Sequence, residues 1–307
     1  MTDEKLLMSE AATLYYEKKY TQQEIADRMH LSRQTVSRLL SDAVKEQIVE
    51  ITVHNPVADR TALEKRLCDT FGLRTAVVCG VSGRDEELRR LMTVKAAVRY
   101  LLPHFEKGGQ HIAVSWGRTM QALAEELPAI ATVGNTVFPL FGATDNVDPC
   151  FLSNELARGI ADKLGAAVKY AWFPYRPDSA EDCMLLKNTS YYQNMQVFWE
   201  QIDLALVGIG NTDMLALFEQ SFGTDPHIAR AAGDVATHFF SADGALLEPH
   251  QNTLCASVEN LRRAGQTVAV ACGNQKAEAI VGALRTGLID VLITDEYTAE
   301  DMLKITV

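Results

Sequence analysis

Short apolar runs alternate with longer amphipathic segments along residues 56–307. The runs have the length of buried strands, and the segments between them carry apolar residues at helical spacing. The predicted strands are Thr75–Cys79, His111–Ser115, Thr136–Leu140, Ala167–Ala171, Leu204–Ile209, Thr267–Cys272 and Val291–Thr294. The predicted helices between them include Thr93–Leu102, Thr119–Leu127, Asn154–Leu164 and Lys276–Arg285. This alternation predicts an α/β fold with a Rossmann-like, doubly wound and mostly parallel sheet, whose ligand site lies beyond the carboxyl ends of the strands.

The first 55 residues have a different pattern, which is typical of a helix-turn-helix. Thr21 and Glu24 have the spacing of a capping box at the start of one helix. After a turn at residues 30–32, Ser32 is a suitable N-cap for a second helix. The second helix is predicted to bury one apolar stripe, formed by Val36, Leu39, Leu40, Ala43 and Val44.

Two flanking segments complete this N-terminal region. An upstream helix is predicted to cover the apolar stripes with one face, formed by Leu7, Ala11, Leu14 and Tyr15. Residues 48–53 alternate like a strand and would form the wing of a winged helix-turn-helix. Asn55 and Pro56 then break the pattern. We therefore expect a DNA-binding domain at residues 1–55 and an effector and oligomerisation domain, with its own core, at residues 56–307.

The polar face of the second helix carries long or hydroxylated hydrogen-bond donors. Such side chains suit the base edges and phosphates of a major groove about 12 Å wide. The residues expected to contact DNA are Gln22, Ser32, Arg33, Gln34, Thr35, Ser37 and Arg38. The alternative is an ordinary small helical bundle with a solvated polar face, but such a face more often carries Glu and Lys.

The charge of the chain does not by itself indicate a nucleic-acid-binding protein. The net charge is −11, and residues 1–55 hold 7 basic and 9 acidic side chains, a balance of −2. Within residues 28–45, however, three arginines and one lysine face one aspartate, and more distant acids are screened beyond roughly 8 Å at physiological salt. We expect modest affinity from one module. A homo-oligomer, dimer or tetramer, that holds two half-sites of double-stranded operator DNA would compensate.

Composition excludes several other classes of protein. No stretch approaches the roughly 20 apolar residues of a membrane span, and the acidic N-terminus is unlike a signal peptide, so we expect a cytoplasmic protein with no membrane partner. The six cysteines are widely scattered, without a C-x-x-C pair or metal-ligand spacing. We interpret them as buried free thiols and expect neither a metal nor a cofactor.

Two strand-to-helix junctions place a cation just after a glycine. Gly117 is followed by Arg118, and Gly273 is followed three residues later by Lys276. A cation at a helix N-terminus is destabilising by about 0.3–1 kcal/mol unless an anion lies between it and the free amides. A phosphate fits this role, held by the glycine-turn amides, the two cations and neighbouring hydroxyl groups. The alternative for each junction is a tight turn with a solvated cation. The candidate hydroxyl groups are those of Ser115 and Thr119.

Other turns offer weaker candidates for an effector site. The segment 208–212 is glycine-rich but lacks the dinucleotide-binding pattern, so Gly210 could approach a sugar or simply form a packing turn. The segment 138–142, which ends at Gly142, is a candidate wall. Asp234, Asp295 and Glu296 could accept hydrogen bonds from sugar hydroxyls, although helix capping explains Asp295 equally well.

The whole chain resembles the SorC family of bacterial transcriptional regulators, which carry a sugar-binding domain. The resemblance rests on motifs spread in order along the chain: Tyr15-Tyr16, Gln22–Ala26, Ser32–Leu40, Ser115–Thr119, Leu206–Gly210, Gly233–Val235, Phe239-Phe240, Asp243-Gly244, Lys276–Ile280 and Val291–Glu296. It implies a repressor or activator of a carbohydrate operon, tetrameric in many members. The implied effector domain resembles sugar-phosphate deaminases and binds a phosphorylated sugar or polyol. By position, the implied phosphate site comprises Ser115, Gly117, Arg118, Thr119 and Lys276.

The chain departs from the family pattern at several positions. Some members have a lysine, able to form a Schiff base, where this chain has Phe141, so covalent capture of a sugar is not expected. Gly142-Ala143 replaces the common Gly-Gly, and Cys272 replaces a glycine. These changes are expected to alter the shape of the wall that would contact the sugar and determine which sugar binds.

An enzyme of the sugar-phosphate isomerase or deaminase type is the alternative function. Such deaminases carry a histidine after the glycine turn as part of an acid–base set, whereas this chain has Thr212-Asp213-Met214 there. We therefore predict a regulator and not an enzyme. A DNA-packaging protein would not need an α/β domain of 252 residues with anion sites.

Overall fold

The computed structural model describes residues 3–49, 56–81, 83, 85–144, 148–212, 230–247 and 252–306. The chain divides into two compact units, Met1–Asn55 and Pro56–Val307. The helices of the first unit are α1 (Asp3–Ala12), followed by a π-helical turn (Thr13–Glu17), α2 (Gln22–Met29) and α3 (Arg33–Lys45).

The helix-turn-helix begins at the caps that the sequence predicts. The Thr21 hydroxyl accepts the Glu24 amide, and the Glu24 carboxylate accepts the Thr21 amide, which completes the capping box of α2. The Ser32 hydroxyl accepts the Thr35 amide at 3.1 Å and caps α3. Between the two helices His30 adopts a left-handed conformation, with a φ of 53°, which ends α2.

The core of the first unit corrects two details of the predicted stripes. Its buried residues are Met8, Ala11, Ala12, Ile25, Ala26, Val36, Leu39, Leu40 and Ala43. Leu7, Tyr15 and Val44, which the sequence places in the core, are 40%, 36% and 38% exposed. The apolar residues of α1 fit two adjacent faces that share Ala11, and the helical spacing does not distinguish them. Packing against α3 selects the face with Met8.

The predicted wing strand at residues 48–53 is not formed over its described part. The amides of Ile48 and Val49 both donate to the Ala43 carbonyl, so they close the end of α3 instead of pairing with a strand. Residues 50–53 lie outside the described residues.

The second unit contains nine further helices among its described residues and ten strands. The helices are α4 (Pro56–Phe71), α5 (Glu86–Glu106), α6 (Arg118–Glu126), α7 (Ser153–Leu164), α8 (Ala180–Lys187), α9 (Ser190–Trp199), α10 (Val258–Arg263), α11 (Ala277–Arg285) and α12 (Glu296–Ile305). The strands are β1 (Thr75–Cys79), β2 (His111–Val114), β3 (Thr136–Pro139), β4 (Ala167–Val168), β5 (Leu204–Val207), β6 (Ile209–Gly210), β7 (Gly233–Val235), β8 (His238–Phe240), β9 (Gln266–Val270) and β10 (Val291–Asp295).

Seven strands form one parallel sheet in the order β1-β10-β9-β5-β2-β3-β4, which confirms the predicted fold class. Ile112 and Val114 of β2 pack in the cluster that contains α5, α6 and α7. Ala113, between them, packs on the other face with α4, α9, α11 and α12. Both faces are therefore covered, as a parallel sheet requires.

The strand order places a switch point between β2 and β5. From β2 the chain continues outward to β3 and β4, then returns to β5 on the opposite side of β2. The loops that follow β2 and β5 consequently diverge and leave a crevice at the carboxyl edge of the sheet. The loop after β9, the next strand in the sheet, borders the same crevice.

Some element boundaries differ from the predicted ones. The predicted strand 204–209 ends at Val207, and residues 209–210 instead pair with β7 in a separate antiparallel sheet, β6-β7-β8. α5 begins at Glu86, seven residues before the predicted start, because Asp85 caps it through the Leu88 amide. Among the described residues, no helix is long and apolar enough to cross a membrane.

Candidate functional site

A cavity of about 410 Å³ occupies the crevice at the carboxyl ends of β2, β5 and β9. Eight of the nine predicted effector-binding residues line it: Ser115, Gly117, Arg118, Thr119, Gly210, Asp234, Gly273 and Lys276. The segments that follow β2, β5 and β9 contribute seven of these residues, and β7 contributes Asp234. The fold therefore brings together positions up to 161 apart in the sequence.

Gly142, the ninth predicted residue, does not line the cavity. Its amide donates to the Leu254 carbonyl, and its carbonyl accepts the Ser153 hydroxyl. A Cβ at this position would lie 2.5 Å from the carbonyl carbon of Pro174. Gly142 therefore allows two backbone segments to approach closely, which is the packing role of a glycine.

The predicted wall at residues 138–142 lies one layer behind the cavity. Phe138, Leu140 and Phe141 are fully buried. The ring centroid of Phe141 lies 4.1 Å from that of Trp116, and Trp116 lines the cavity. The segment thus supports the cavity wall and does not face the cavity itself.

The first glycine junction joins β2 to α6. Gly117 precedes α6 with a φ of 112° and a ψ of 161°, a conformation that is essentially restricted to glycine. Within the described residues no side chain caps α6, so its first amides have no side-chain acceptor, and Gly117, Arg118 and Thr119 line the cavity. The buried Ser115 hydroxyl accepts the Gly208 amide at 3.1 Å and thereby ties the β2 loop to the β5 loop.

The second junction joins β9 to α11 through a short 3-10 turn at Asn274–Lys276. Gly273, with a φ of 115°, precedes this turn, and its amide donates to the Thr298 hydroxyl at 2.9 Å. The Lys276 ammonium donates to the Ile209 carbonyl at 3.0 Å. Lys276 therefore crosses from the β9 loop to the β5 loop and holds its charge at the cavity.

Burial and charge act in opposite directions on the ionisable groups of the cavity. Burial lowers the pKa of Lys276, and Arg118 and Arg90 lower it further, while Cys272 and Asp234 raise it. Burial raises the pKa of Asp234 to about 6, although the Thr237 amide and Lys276 favour its charged form. The cavity thus brings three basic side chains together, Arg90, Arg118 and Lys276, and two acidic ones, Glu86 and Asp234, partly offset their charge.

Several lining residues were not predicted. They are Glu86 and Arg90 of α5, together with Trp116, Gly208, Ile209, Asn211, Ala236, Cys272 and Gln275. The two α5 residues precede the predicted start of that helix, so no sequence signal related them to the glycine junctions. The sequence did contain a signal for the true start of α5, namely Asp85 as the cap followed by two glutamates, since acidic residues favour the first turn of a helix.

Asp295 and Glu296 have structural roles. Asp295 caps α12 by accepting the amides of Tyr297 and Thr298, which confirms the capping interpretation. Its carboxylate also forms a buried ion pair with Arg89 at 2.8 Å. Glu296 accepts the Val81 amide at 3.2 Å.

The cysteines carry free thiols. Cys79, Cys150 and Cys183 are buried, whereas Cys68, Cys255 and Cys272 are only partly so, which corrects the expectation that all six are buried. Burial raises the pKa of Cys150 to about 12 and that of Cys79 to about 11, so these thiols are poor nucleophiles at neutral pH. Across the described ranges, no cluster of histidine, cysteine and acidic side chains could hold a metal ion.

The first unit presents the second candidate site, on α3. Arg33, Gln34, Ser37 and Arg38 are all exposed there. Ser32 and Thr35 are bonded to each other through their hydroxyls at 2.7 Å, and both belong to the helix cap. Gln22, at the start of α2, is partly buried. The exposed polar face of α3 is opposite the face that packs in the core.

The sequence of the chain matches two family models. The "Putative sugar-binding domain" model covers residues 55–304, and the sigma-70 region 4 model covers residues 10–46. These matches coincide with the α/β unit that holds the cavity and with the helix-turn-helix. Fold and sites together define a class: a DNA-binding transcriptional regulator with a sugar-binding domain.

Individual relatives belong to the same class. The sorbitol operon regulator of Klebsiella pneumoniae is 29% identical over 313 residues, with 99% of each chain covered. The erythritol catabolism regulatory protein EryD of Brucella abortus is 30% identical, with 95% of each chain covered. The crystal structure of full-length SorC from K. pneumoniae matches with a TM-score of 0.73 at 28% identity, covering 98% of this chain and all of the other. The chain belongs to the SorC family of sugar-binding transcriptional regulators. It is a regulator of a carbohydrate operon.

Proposed function

We propose that the effector of this regulator is a phosphorylated sugar or polyol and that its phosphate binds between Arg118 and Lys276. The observation that carries the proposal is the convergence of two glycine junctions, each with a cation beside a helix start, on one cavity. Each cation opposes the helix dipole by about 0.3–1 kcal/mol when no anion is present. One dianion between the two cations attracts both of them and also interacts favourably with both helix dipoles, so the unfavourable cation–dipole interactions are offset.

The remaining residues of the cavity form two groups, those that would bind the phosphate and those that would contact the sugar. The amides that follow Gly117 and Gly273 and the Thr119 hydroxyl donate to phosphate oxygens, and Ser115 fixes the loop that presents them. Asp234 accepts from sugar hydroxyls, and the backbone at Gly210 permits close approach of the sugar. A volume of about 410 Å³ accommodates a small sugar phosphate.

For the DNA side, α3 is the recognition helix that enters the major groove. Arg33, Gln34, Ser37 and Arg38 read base edges, since all four are exposed on one face. Gln22, Ser32 and Thr35 lie at the helix starts, where backbone amides and short side chains meet phosphates.

The regulator acts as a homo-oligomer, a dimer or a tetramer, because one helix-turn-helix with a charge balance of −2 binds operator DNA weakly. Two modules on two half-sites about one helical turn apart, or a multiple of that, supply the missing affinity. It works in the cytoplasm, where the operator DNA is.

Effector and DNA are coupled through a shift between two arrangements of the protein. The effector binds one arrangement more tightly, and DNA binds one arrangement more tightly, so each changes the affinity of the other. The proposal does not depend on whether the bound form represses or activates.

Thermal unfolding with a matched panel tests the effector class. Sorbitol and erythritol, each with and without a terminal phosphate, are compared with inorganic phosphate at equal concentrations. A native-state ligand at 100 times its Kd stabilises by about 2.7 kcal/mol, so at least one phosphorylated compound is expected to raise the unfolding midpoint by several degrees.

The double variant Arg118→Ala, Lys276→Ala is expected to lose this response and to keep DNA binding. Lys304→Ala, an exposed cation of the same unit, is the control. Stabilisation by the unphosphorylated compounds alone, or an unchanged response in the double variant, would refute the phosphate site.

A further inference from the structure

Arg90 is a cation of the cavity that neither glycine junction supplies. It lies on α5, one turn after the start of the helix, and lines the cavity together with Arg118 and Lys276. Its charge reaches Lys276, since Arg90 contributes to lowering the Lys276 pKa. The fold therefore directs three cations from three different elements at one space.

The present partner of Arg90 is exchangeable. Its guanidinium contacts the Glu87 carboxylate at 2.6 Å, within the same helix at a spacing of three residues. The Glu87 side chain is 80% exposed, whereas that of Arg90 is 29% exposed. A pair whose carboxylate is this exposed stabilises a protein little, so a better anion can replace the carboxylate at small cost.

Arg90 and Arg118 also form a boundary between two cavities. Both line a second cleft of about 300 Å³ between α5 and α6, which Glu87, Glu125, Glu126 and Asp148 surround with carboxylates. The two guanidinium groups thus have four carboxylates in one cleft, and in the other the two glycine junctions together with Glu86 and Asp234. A guanidinium carries five N–H donors, enough to keep a contact with one side while it binds an anion on the other.

We propose that Arg90 is a third cationic ligand of the anion that the cavity binds, and that Glu87 is the counter-ion that the anion displaces. This rests on the proposed function and extends it to α5, a helix with no phosphate-binding motif. An arginine suits the role because its planar fork binds two phosphate oxygens at once. In the other interpretation, Arg90 is an ordinary helix-surface arginine whose ion pair with Glu87 is its full role.

Calorimetric titration of the full-length chain with inorganic phosphate distinguishes the two. A charge-assisted contact of about 1.5 kcal/mol corresponds to roughly a tenfold change in Kd. Arg90→Ala is therefore expected to weaken phosphate binding about tenfold, and Arg90→Lys by less. Glu87→Gln, which removes the competitor, is expected to tighten binding two- to threefold. The control is Arg158→Ala on α7, an arginine paired with Glu155 three residues earlier and with Asp162 four residues later, for which no change is expected.

The two variants are expected to change the phosphate affinity in opposite directions, and this distinguishes a ligand from a residue with a structural role. If Arg90 only stabilised α5, both Arg90→Ala and Glu87→Gln would break the same pair and would shift binding in the same direction. Arg90→Ala binding within twofold of the wild type, or weaker binding by Glu87→Gln, overturns the inference. A wild-type chain that binds neither phosphate nor any phosphorylated compound overturns the proposed function instead. Should Arg90→Ala fail to fold, Arg90→Lys and Glu87→Gln carry the same test.

Discussion

At the scale of single residues, burial disfavours the charged forms of two groups in the cavity. It lowers the pKa of Lys276, and it raises the pKa of Asp234 from its ordinary 3.8 to about 6. Groups with perturbed pKa values that line one cavity are typical of binding sites. Here the perturbation has an energetic consequence that can be measured without an effector.

The stability of the wild-type chain should fall as pH rises through the pKa of Asp234. The folded pKa is above the ordinary value, so the folded chain retains a proton that the unfolded chain releases between about pH 4 and 6. Asp234→Asn imitates the protonated group and should lack this loss. A rise from 3.8 to about 6 is roughly two pKa units, or about 3 kcal/mol, so at pH 7.5 the variant is expected to unfold several degrees above the wild type.

Thermal unfolding at pH 7.5 and pH 4.5 measures this difference. The gap between variant and wild type should be smaller at pH 4.5, where the folded Asp234 is still protonated and only the unfolded carboxyl is ionised. An equal gap at the two pH values would show that the effect of the substitution is unrelated to the charge of Asp234.

At the scale of secondary-structure elements, the cavity depends on how its helices begin. α6 begins at Gly117 and the turn into α11 at Gly273, both with a φ above 110°. No atom lies within 4 Å of a Cβ built at Gly117, so glycine is needed there for its backbone conformation and not for space.

Gly117→Ala should therefore weaken phosphate binding through the backbone alone. The strained conformation costs about 1–3 kcal/mol, and the loop is expected to relax by turning its amides away from the cavity. The measurement is the phosphate Kd beside the unfolding midpoint. Gly159→Ala, inside α7 with its nearest neighbour at 3.8 Å, is the control and should raise stability slightly while leaving the Kd unchanged.

The proposed role of α3 as recognition helix can be tested by substitution. Gln34→Ala and Arg38→Ala should each reduce operator affinity about tenfold or more, because each removes a contact of about 1–3 kcal/mol to a base edge. A gel-shift assay measures the affinity, and circular dichroism checks that α3 is intact. Lys5→Ala, an exposed cation on α1 paired with Glu46, controls for charge alone. If both variants bind the operator as tightly as the wild type, α3 does not read the major groove.

At the scale of the whole molecule, the two units must communicate, since a regulator requires its effector to alter DNA binding. Thermodynamic linkage makes this quantitative: the factor by which effector changes operator affinity equals the factor by which operator changes effector affinity. We expect a coupling factor of about 5–150, the usual range for such proteins.

Two independent titrations measure this factor, one of operator by gel shift with and without effector, the other of effector by calorimetry with and without operator. The same factor is expected from both. Arg118→Ala, Lys276→Ala should abolish the coupling in both directions and leave basal operator affinity unchanged. Two different factors would mean that the measured steps do not form one closed cycle.

Much of the architecture follows from local patterns in the chain. The strand positions, the parallel sheet and the capped helix-turn-helix were all predictable, because apolar spacing and capping residues act over a few neighbouring positions. The two glycine–cation junctions were predictable for the same reason, since both are continuous segments. What the sequence could not predict was which of two adjacent faces of α1 would be buried, since both share Ala11 and only packing against α3 decides.

The sequence by itself determined the chemistry of the cavity: glycines that free backbone amides, and cations placed beside helix starts. The tertiary structure alone decided that these segments meet, because strand order is a property of the complete sheet and places the ends of β2, β5 and β9 side by side. It also excluded Gly142, which packs against another loop, and added Arg90 from a helix with no recognisable motif. Spacing along a chain encodes local conformation, whereas proximity between distant segments arises only when the core forms.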